Sequence, residues 1–183
     1  MEIRDPVHGT IELSDAETLV IDSPEFQRLR QIKQLGFAEF SFPGATHNRY
    51  LHSIGVKHIA GQVYDHIFKN FPFSKAQVQQ RFRQVTQLGA LLHDIGHGLC
   101  SHASEQIYAL LSDLQEFKLN PTYVTNAPGE ILSYLIVKST TFEKWFMEYV
   151  VGRCGADLKL DTISKLILAA RGASSGFPAS RAT

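Results

Sequence analysis

From residue 49 to residue 171 apolar side chains return every three or four positions, whereas strict apolar–polar alternation is confined to Thr10-Ile11-Glu12-Leu13. The first pattern is that of one-sided helices, the second that of a half-buried strand. A chain patterned this way folds as a mainly α domain, a helical bundle with a small β-hairpin or strand element at its N-terminus. Its 183 residues suit a single domain.

The element boundaries follow from local signals. Residues 1–13 form the β element, turning at Pro6-Val7-His8-Gly9. The helical core is expected over 20–171. Ser23 before Pro24 opens a helix over 23–36, with Phe26, Leu29, Ile32 and Leu35 on its apolar face and Gly36 ending it. Residues 37–48 read as a loop. A helix over 49–70 places Leu51, Ile54, Val56, Ile59, Val63 and Ile67 near one face. Another over 74–95 is capped by Ser74, and Gly96 and Gly98 disfavour its continuation. Further helices are expected over 101–114, 128–150 and 157–171. Residues 172–183 have the composition of a loop-like tail.

Charge narrows the partners. Lysine and arginine total 18, aspartate and glutamate 18, for a formal net charge of zero. A balanced chain does not advertise duplex nucleic acid or an anionic membrane as its partner. The apolar runs, such as 131–137, are far too short to span a bilayer. Cys100 and Cys154 form no CxxC pair, so a reducing cytoplasm is the simpler reading than a disulfide scaffold.

The chemistry concentrates at 88–102, LGALLHDIGHGLCSH, which holds three of the eight histidines directly after an apolar run. A His-Asp dipeptide alone is a weak signal. However, His93 and His97 are four apart and Asp94 and His97 three apart, so their side chains converge if the helix persists. Imidazole nitrogen and carboxylate oxygen suit a divalent metal ion, and histidine favours the transition metals. Any one of these histidines is more readily a hydrogen-bonded, half-buried residue; three with an aspartate in ten residues favour a site. His52, in HNRYLHSIGV (47–56), could supply a ligand from a neighbouring helix, and the planar fork of Arg49 one turn earlier suits phosphate oxygens. Cys100 lies in the same stretch, but a cysteine there is more often a small hydrophobe.

The separated His and His-Asp, with RYLHSIGV and LLHDIGHGLCSH, resemble the HD-domain metal-dependent phosphohydrolases. IRDPVHGTIEL, IDSPEFQRLRQIKQLG, FPGATHNRYLHSIGV and HDIGHGLCSH together look like the deoxynucleoside triphosphate triphosphohydrolase branch, over residues 3–105 almost without a gap. The resemblance implies metal ligation by His52, His93 and Asp94, the ion being Mn, Fe, Mg, Zn or Ni. It implies catalytic roles for His97 near the scissile phosphate, for His102 against phosphate, and for Glu105 as the group that orients His97. It places Gln34 and Leu35 at the sugar and Arg49 at the nucleotide. Arg28 and Arg30 are structural, allosteric or simply solvated. The implied reaction is attack of water at the α-phosphorus of a dNTP, giving a deoxynucleoside and tripolyphosphate. The expected partner is that nucleotide, without membrane or strong nucleic-acid binding, and the family's members form homo-oligomers.

The sequence departs from the family's pattern in three places. The late aspartate that serves as fourth ligand has no matching segment; Asp157 and Asp161 are the late aspartates present, and the chain is expected to stop ahead of that block. Where relatives carry His-Glu at the start of a helix, this chain has Gly129-Glu130, and glycine transfers no proton. Leu99 replaces a frequent proline. Three functions therefore compete: a dNTP triphosphohydrolase, an HD phosphohydrolase of another nucleotide or phosphate ester, and a metal- or nucleotide-binding module without turnover.

Overall fold

The computed structural model describes residues 1–169 apart from 101, 122 and 156, and no side chain at 102 or 103. The expected tail at 172–183 lies outside the described residues. Strands β1 (Glu2–Asp5) and β2 (Gly9–Glu12) pair antiparallel, with Ile3 opposite Ile11. The turn between them is held by the Asp5 carboxylate, which accepts the amides of Val7 and His8, both at 2.8 Å. Ile11 and Leu13 point into the core.

Helix α1 (Asp15–Ile21) starts five residues ahead of the expected helical core. Its signal was present in the sequence as Ser14-x-x-Glu17. Ser14 accepts the Glu17 amide, and the Glu17 carboxylate accepts the Ser14 amide at 2.8 Å. The same carboxylate meets Lys57 at 3.0 Å, and Lys57 also donates to the Glu12 carbonyl at 2.8 Å. One buried ammonium thus ties the hairpin, α1 and the long helix α3 together.

The helix expected over 23–36 is shorter. It comprises α2 (Pro24–Gln27), capped by Ser23 as read, followed by a 3₁₀ turn over Arg28–Gln31. The segment then leaves helical geometry because it pairs with the chain ahead of α3, through a bridge between Lys33 and Asn48 and the bond from the Arg49 amide to the Ile32 carbonyl, 2.8 Å. Phe26, Leu29 and Ile32 are buried as expected, whereas Leu35 is exposed. Within the expected loop, residues Gly36–Phe40 make a 3₁₀ turn.

Helices α3 (Arg49–Ile67) and α4 (Ala76–Leu92) pack along one another as a helical hairpin. The N-cap of α4 is Lys75, which makes no side-chain cap bond, so Ser74 does not have the capping role read for it. The helix expected over 101–114 is divided into α5 (His102–Tyr108) and α6 (Ser112–Lys118). That over 128–150 is also divided. Helix α7 (Pro128–Lys138) ends where Ser139 turns extended at ψ 143° and caps α8 (Thr140–Trp145) by accepting the Phe142 amide. A π-helical turn over Phe146–Val151 leads into a last turn, α9 (Gly152–Cys154). Helix α10 (Leu160–Ala169) returns across α4 and α7.

The core runs between these layers through Phe26, Leu29, Ile54, Leu88, Leu91, Leu92, Ile95, Phe146, Val150 and Ile163. Side chains of this size each contribute about 1.5–3 kcal/mol when fully withdrawn from water. The expectation of a mainly α bundle with a small N-terminal β element holds. Among the described residues no helix is long and apolar enough to cross a membrane.

Candidate metal centre

The α3–α4 hairpin sets the N-terminus of one helix beside the C-terminus of the other. Asn48 caps α3 by accepting the Leu51 amide at 3.0 Å, which puts Arg49 and His52 one turn apart on the same face. His93 sits at the C-cap of α4, and Asp94 follows. The rings of His52 and His93, 41 positions apart in sequence, come within 5.3 Å between centroids.

One ligand atom from each of His52, His93 and Asp94 lies within 4.8 Å of the others, and these three form the one such group among the described residues. A cation bound at about 2.1 Å from each ligand would hold them at most about 4.2 Å apart, so only small inward movements are needed. The donor chemistry fits a cation as well. His93 Nδ1 lies 2.7 Å from the Ala90 carbonyl, which only accepts, so Nδ1 carries the hydrogen. In the neutral ring Nε2 keeps its lone pair, and it faces Asp94 Oδ1 at 3.3 Å. Two electron-pair donors aimed at one another suit a cation between them. A cation held by these three would keep further positions open to water or substrate.

Asp94 is the hub. Its Oδ2 lies 2.6 Å from Arg49 Nη1 and 3.7 Å from His52 Nε2; its Oδ1 is also 3.2 Å from His97 Nε2. Burial by itself would raise the Asp94 pKa. The hydrogen bond from His97 and the charges of His93, Arg49 and His97 outweigh it and hold the carboxyl well below the usual range, so it is ionised. Burial pushes the His52 imidazole down, against the pull of Asp94, and the neighbouring His93 and Arg49 add to that effect. A neutral imidazole and an ionised carboxylate are the ligand forms.

Beyond these three donors, His97 is buried and its Nδ1 meets Glu105 Oε1 at 2.9 Å, so α5 supplies the second carboxylate on this ring. Arg49 is only 1% exposed. The structure sets it beneath Asp94 rather than out toward solvent. Gln34 is tied to the start of α3 by its amide, which donates to the His47 carbonyl at 3.1 Å; Leu35 beside it is 53% exposed. His102 opens α5, and its side chain lies outside what is described.

Asp157 and Asp161 stand apart from the donor group. Asp157 pairs with Arg81, and Asp161 with Lys138 and Lys165, all on the surface. Cys100 is exposed and also outside the group. Glu130 caps its own helix, accepting the Ala127 amide at 3.0 Å.

Further supports lie around the turn; Arg28 and Arg30 take up structural contacts, one of the readings open for them, whereas the Gly96–Ser133 contact escaped sequence reasoning. Arg28 donates to the Ile95 carbonyl, bracing the turn that carries Asp94 from below. Its neighbour Arg30 lies 3.6 Å over the Tyr50 ring. The Gly96 amide donates to Ser133 Oγ at 2.8 Å, and a Cβ at Gly96 would come within 2.1 Å of the Ser133 nitrogen, so α7 presses directly on the turn. The glycine in HDIGHG was the available signal, read there only as a helix stop.

Residues 49–177 match the HD domain family. A stretch of 99 residues is 48% identical to the deoxynucleoside triphosphate triphosphohydrolase SAMHD1 of Xenopus laevis, covering 54% of this chain and 15% of that protein. The human protein of the same name is 46% identical over 100 residues, 55% of this chain and 16% of its own length. The uncharacterized protein YwfO of Bacillus subtilis is 41% identical over 108 residues, 58% of this chain and 24% of its own. The aligned region is thus a quarter or less of each relative. The matched family begins at Arg49, the residue that opens α3, and takes in the segments that bring His52, His93 and Asp94 together: this chain belongs to the HD domain family.

Proposed function

We propose that this chain is a metal-dependent phosphohydrolase, and that its substrate is a deoxynucleoside triphosphate split into deoxynucleoside and tripolyphosphate. The observation that carries the reading is the three-donor group of His52, His93 and Asp94 beside the His97–Glu105 pair. The bound divalent ion would polarise a phosphoryl oxygen and lower the pKa of water. The chain's own residues do the rest. Glu105 orients the His97 ring, which sits next to the ligand Asp94 and is placed to hold a proton there. Arg49 fixes the Asp94 carboxylate and adds positive charge beneath the site where phosphate charge gathers. Leu35, exposed beside Gln34, is the surface proposed to meet the sugar. The relatives' printed activity supports the choice of substrate. The two free cysteines suit a reducing compartment.

A second reading is a metal- or nucleotide-binding module without turnover. It is favoured by Gly129, which leaves no proton-transferring side chain there, and by Asp157 and Asp161 being engaged elsewhere. One experiment separates the two. Each dNTP and NTP is incubated with the chain and Mn²⁺, and products are resolved by ion-exchange chromatography. Tripolyphosphate from dNTPs and little from NTPs supports the first reading. Orthophosphate from another ester moves the substrate, and bound metal without turnover supports the module.

A further inference from the structure

We propose that Gly129 is a positioning residue for the metal centre: the side chain it lacks is the slot that seats the His97 imidazole between Asp94 and Glu105. The proposal rests on reading His52, His93 and Asp94 as ligands, and its test is arranged so that the two fail separately.

Gly129 is the second residue of α7 and is buried. Its φ is not positive, so its backbone conformation is open to any residue. Glycine is also the weaker helix former. Conformation and propensity therefore give no reason for a glycine at this position. Space does. A Cβ on residue 129 would lie 2.3, 2.5 and 2.8 Å from Cε1, Nδ1 and Nε2 of His97. These are ring atoms, and the ring is held on both sides. Its Nε2 is held at 3.2 Å by Asp94 and its Nδ1 at 2.9 Å by Glu105, with 4% of the side chain exposed.

The two walls of the slot are also fixed relative to each other. The Gly96 amide donates to Ser133 Oγ at 2.8 Å, and Ser133 Oγ donates to the Gly129 carbonyl at 2.9 Å. Backbone of 132 and 133 already fills the space beside Gly96. Hence any side chain at 129 expels the His97 ring instead of parting the helix from the turn. The consequence reaches the metal. His97 Nε2 and His93 Nε2 converge on the same Asp94 oxygen, so expelling His97 removes one of the contacts that orient that oxygen, while Arg49 still holds the other. A residue that touches no ligand thereby helps to orient one.

The test compares the wild type, Gly129→Ala, His97→Ala and the double variant. Two quantities are read: the thermal midpoint of the metal-free protein, and Mn²⁺ affinity by titration calorimetry. Gly129→Ala alone should lower the midpoint despite alanine's better helix propensity, and weaken Mn²⁺ binding about tenfold. In the His97→Ala background the same substitution should raise the midpoint or leave it unchanged, and should not alter Mn²⁺ affinity, because the methyl enters the space the ring has left. A midpoint for Gly129→Ala at or above wild type overturns the proposal, as does an equal loss in both backgrounds. If Gly129→Ala does not fold, a folded double variant supports the slot and an unfolded one refutes it. Absence of Mn²⁺ binding by the wild type refutes the ligand assignment, while the midpoints still decide whether residue 129 seats His97.

Discussion

Arg49 and Asp94, 45 residues apart, form a buried ion pair with Nη1 2.6 Å from Oδ2 and side chains 1% and 6% exposed. Neither charge has solvent to fall back on, so each depends on the other. Replacing Arg49 by Met leaves the carboxylate buried without its guanidinium and should cost about 3 kcal/mol in urea unfolding of the metal-free protein. Because a divalent cation can replace the lost positive charge, saturating Mn²⁺ should stabilise the variant more than the wild type. Equal stabilisation of both would show that Asp94 does not contact the ion.

The ligand assignment has a direct check. His93→Ala combined with Asp94→Ala removes two of the three converging donors. The double variant should lose the bound ion, as read by elemental analysis after gel filtration. Full metal stoichiometry in that variant would place the metal elsewhere.

Stability should fall with acid in two stages. The His52 pKa is lowered by burial, so the folded state disfavours its protonation relative to the unfolded chain at the usual 6.5. Below pH 6.5 the unfolded state binds more protons, and stability declines until the folded pKa is passed. Asp94 is also lowered, its charge partners overriding burial; its contribution is intact above the usual 3.8 and is lost as pH falls below that value. Urea midpoints measured from pH 8 to pH 3 should show both stages. His52→Asn should shrink the first and leave the second. His58, lowered chiefly by burial and then by His8, supplies what remains of the first stage. An unchanged first stage in His52→Asn would rule out a neutral His52.

Lys57 offers a test of the fold apart from the site. Its ammonium, 3% exposed, lies 3.0 Å from Glu17 and 2.8 Å from the Glu12 carbonyl. Lys57→Met strands a buried carboxylate and should cost about 3–5 kcal/mol. Adding Glu17→Gln, which keeps an acceptor for the Ser14 amide, should recover most of that loss. Failure of the second substitution to recover stability would mean that the carbonyl contact, and not the ion pair, is what Lys57 provides.

The local rules carried much of the architecture. Periodicity over 49–70 and 74–95 marked the two long helices, Ser23-Pro24 marked the start of α2, and the alternation at 10–13 marked β2. These features depend on neighbours one to four residues away, which the sequence displays. His93 and Asp94 stood out through their spacing with His97, whereas joining them to His52 leaned on the resemblance to a family, since nothing local links position 52 to position 93. The same limit explains the boundaries that moved. Residues 32–36 have helical periodicity but are drawn out by pairing with the chain before α3, and the helix expected over 128–150 breaks where Ser139 caps a new one. The arrangement around Asp94 was decided only in three dimensions. Arg28 beneath Ile95, Ser133 against Gly96 and the slot at Gly129 join elements up to 67 positions apart. Such contacts leave no periodic trace, because they arise from how closely two backbones approach, and that distance is set only once the helices have packed.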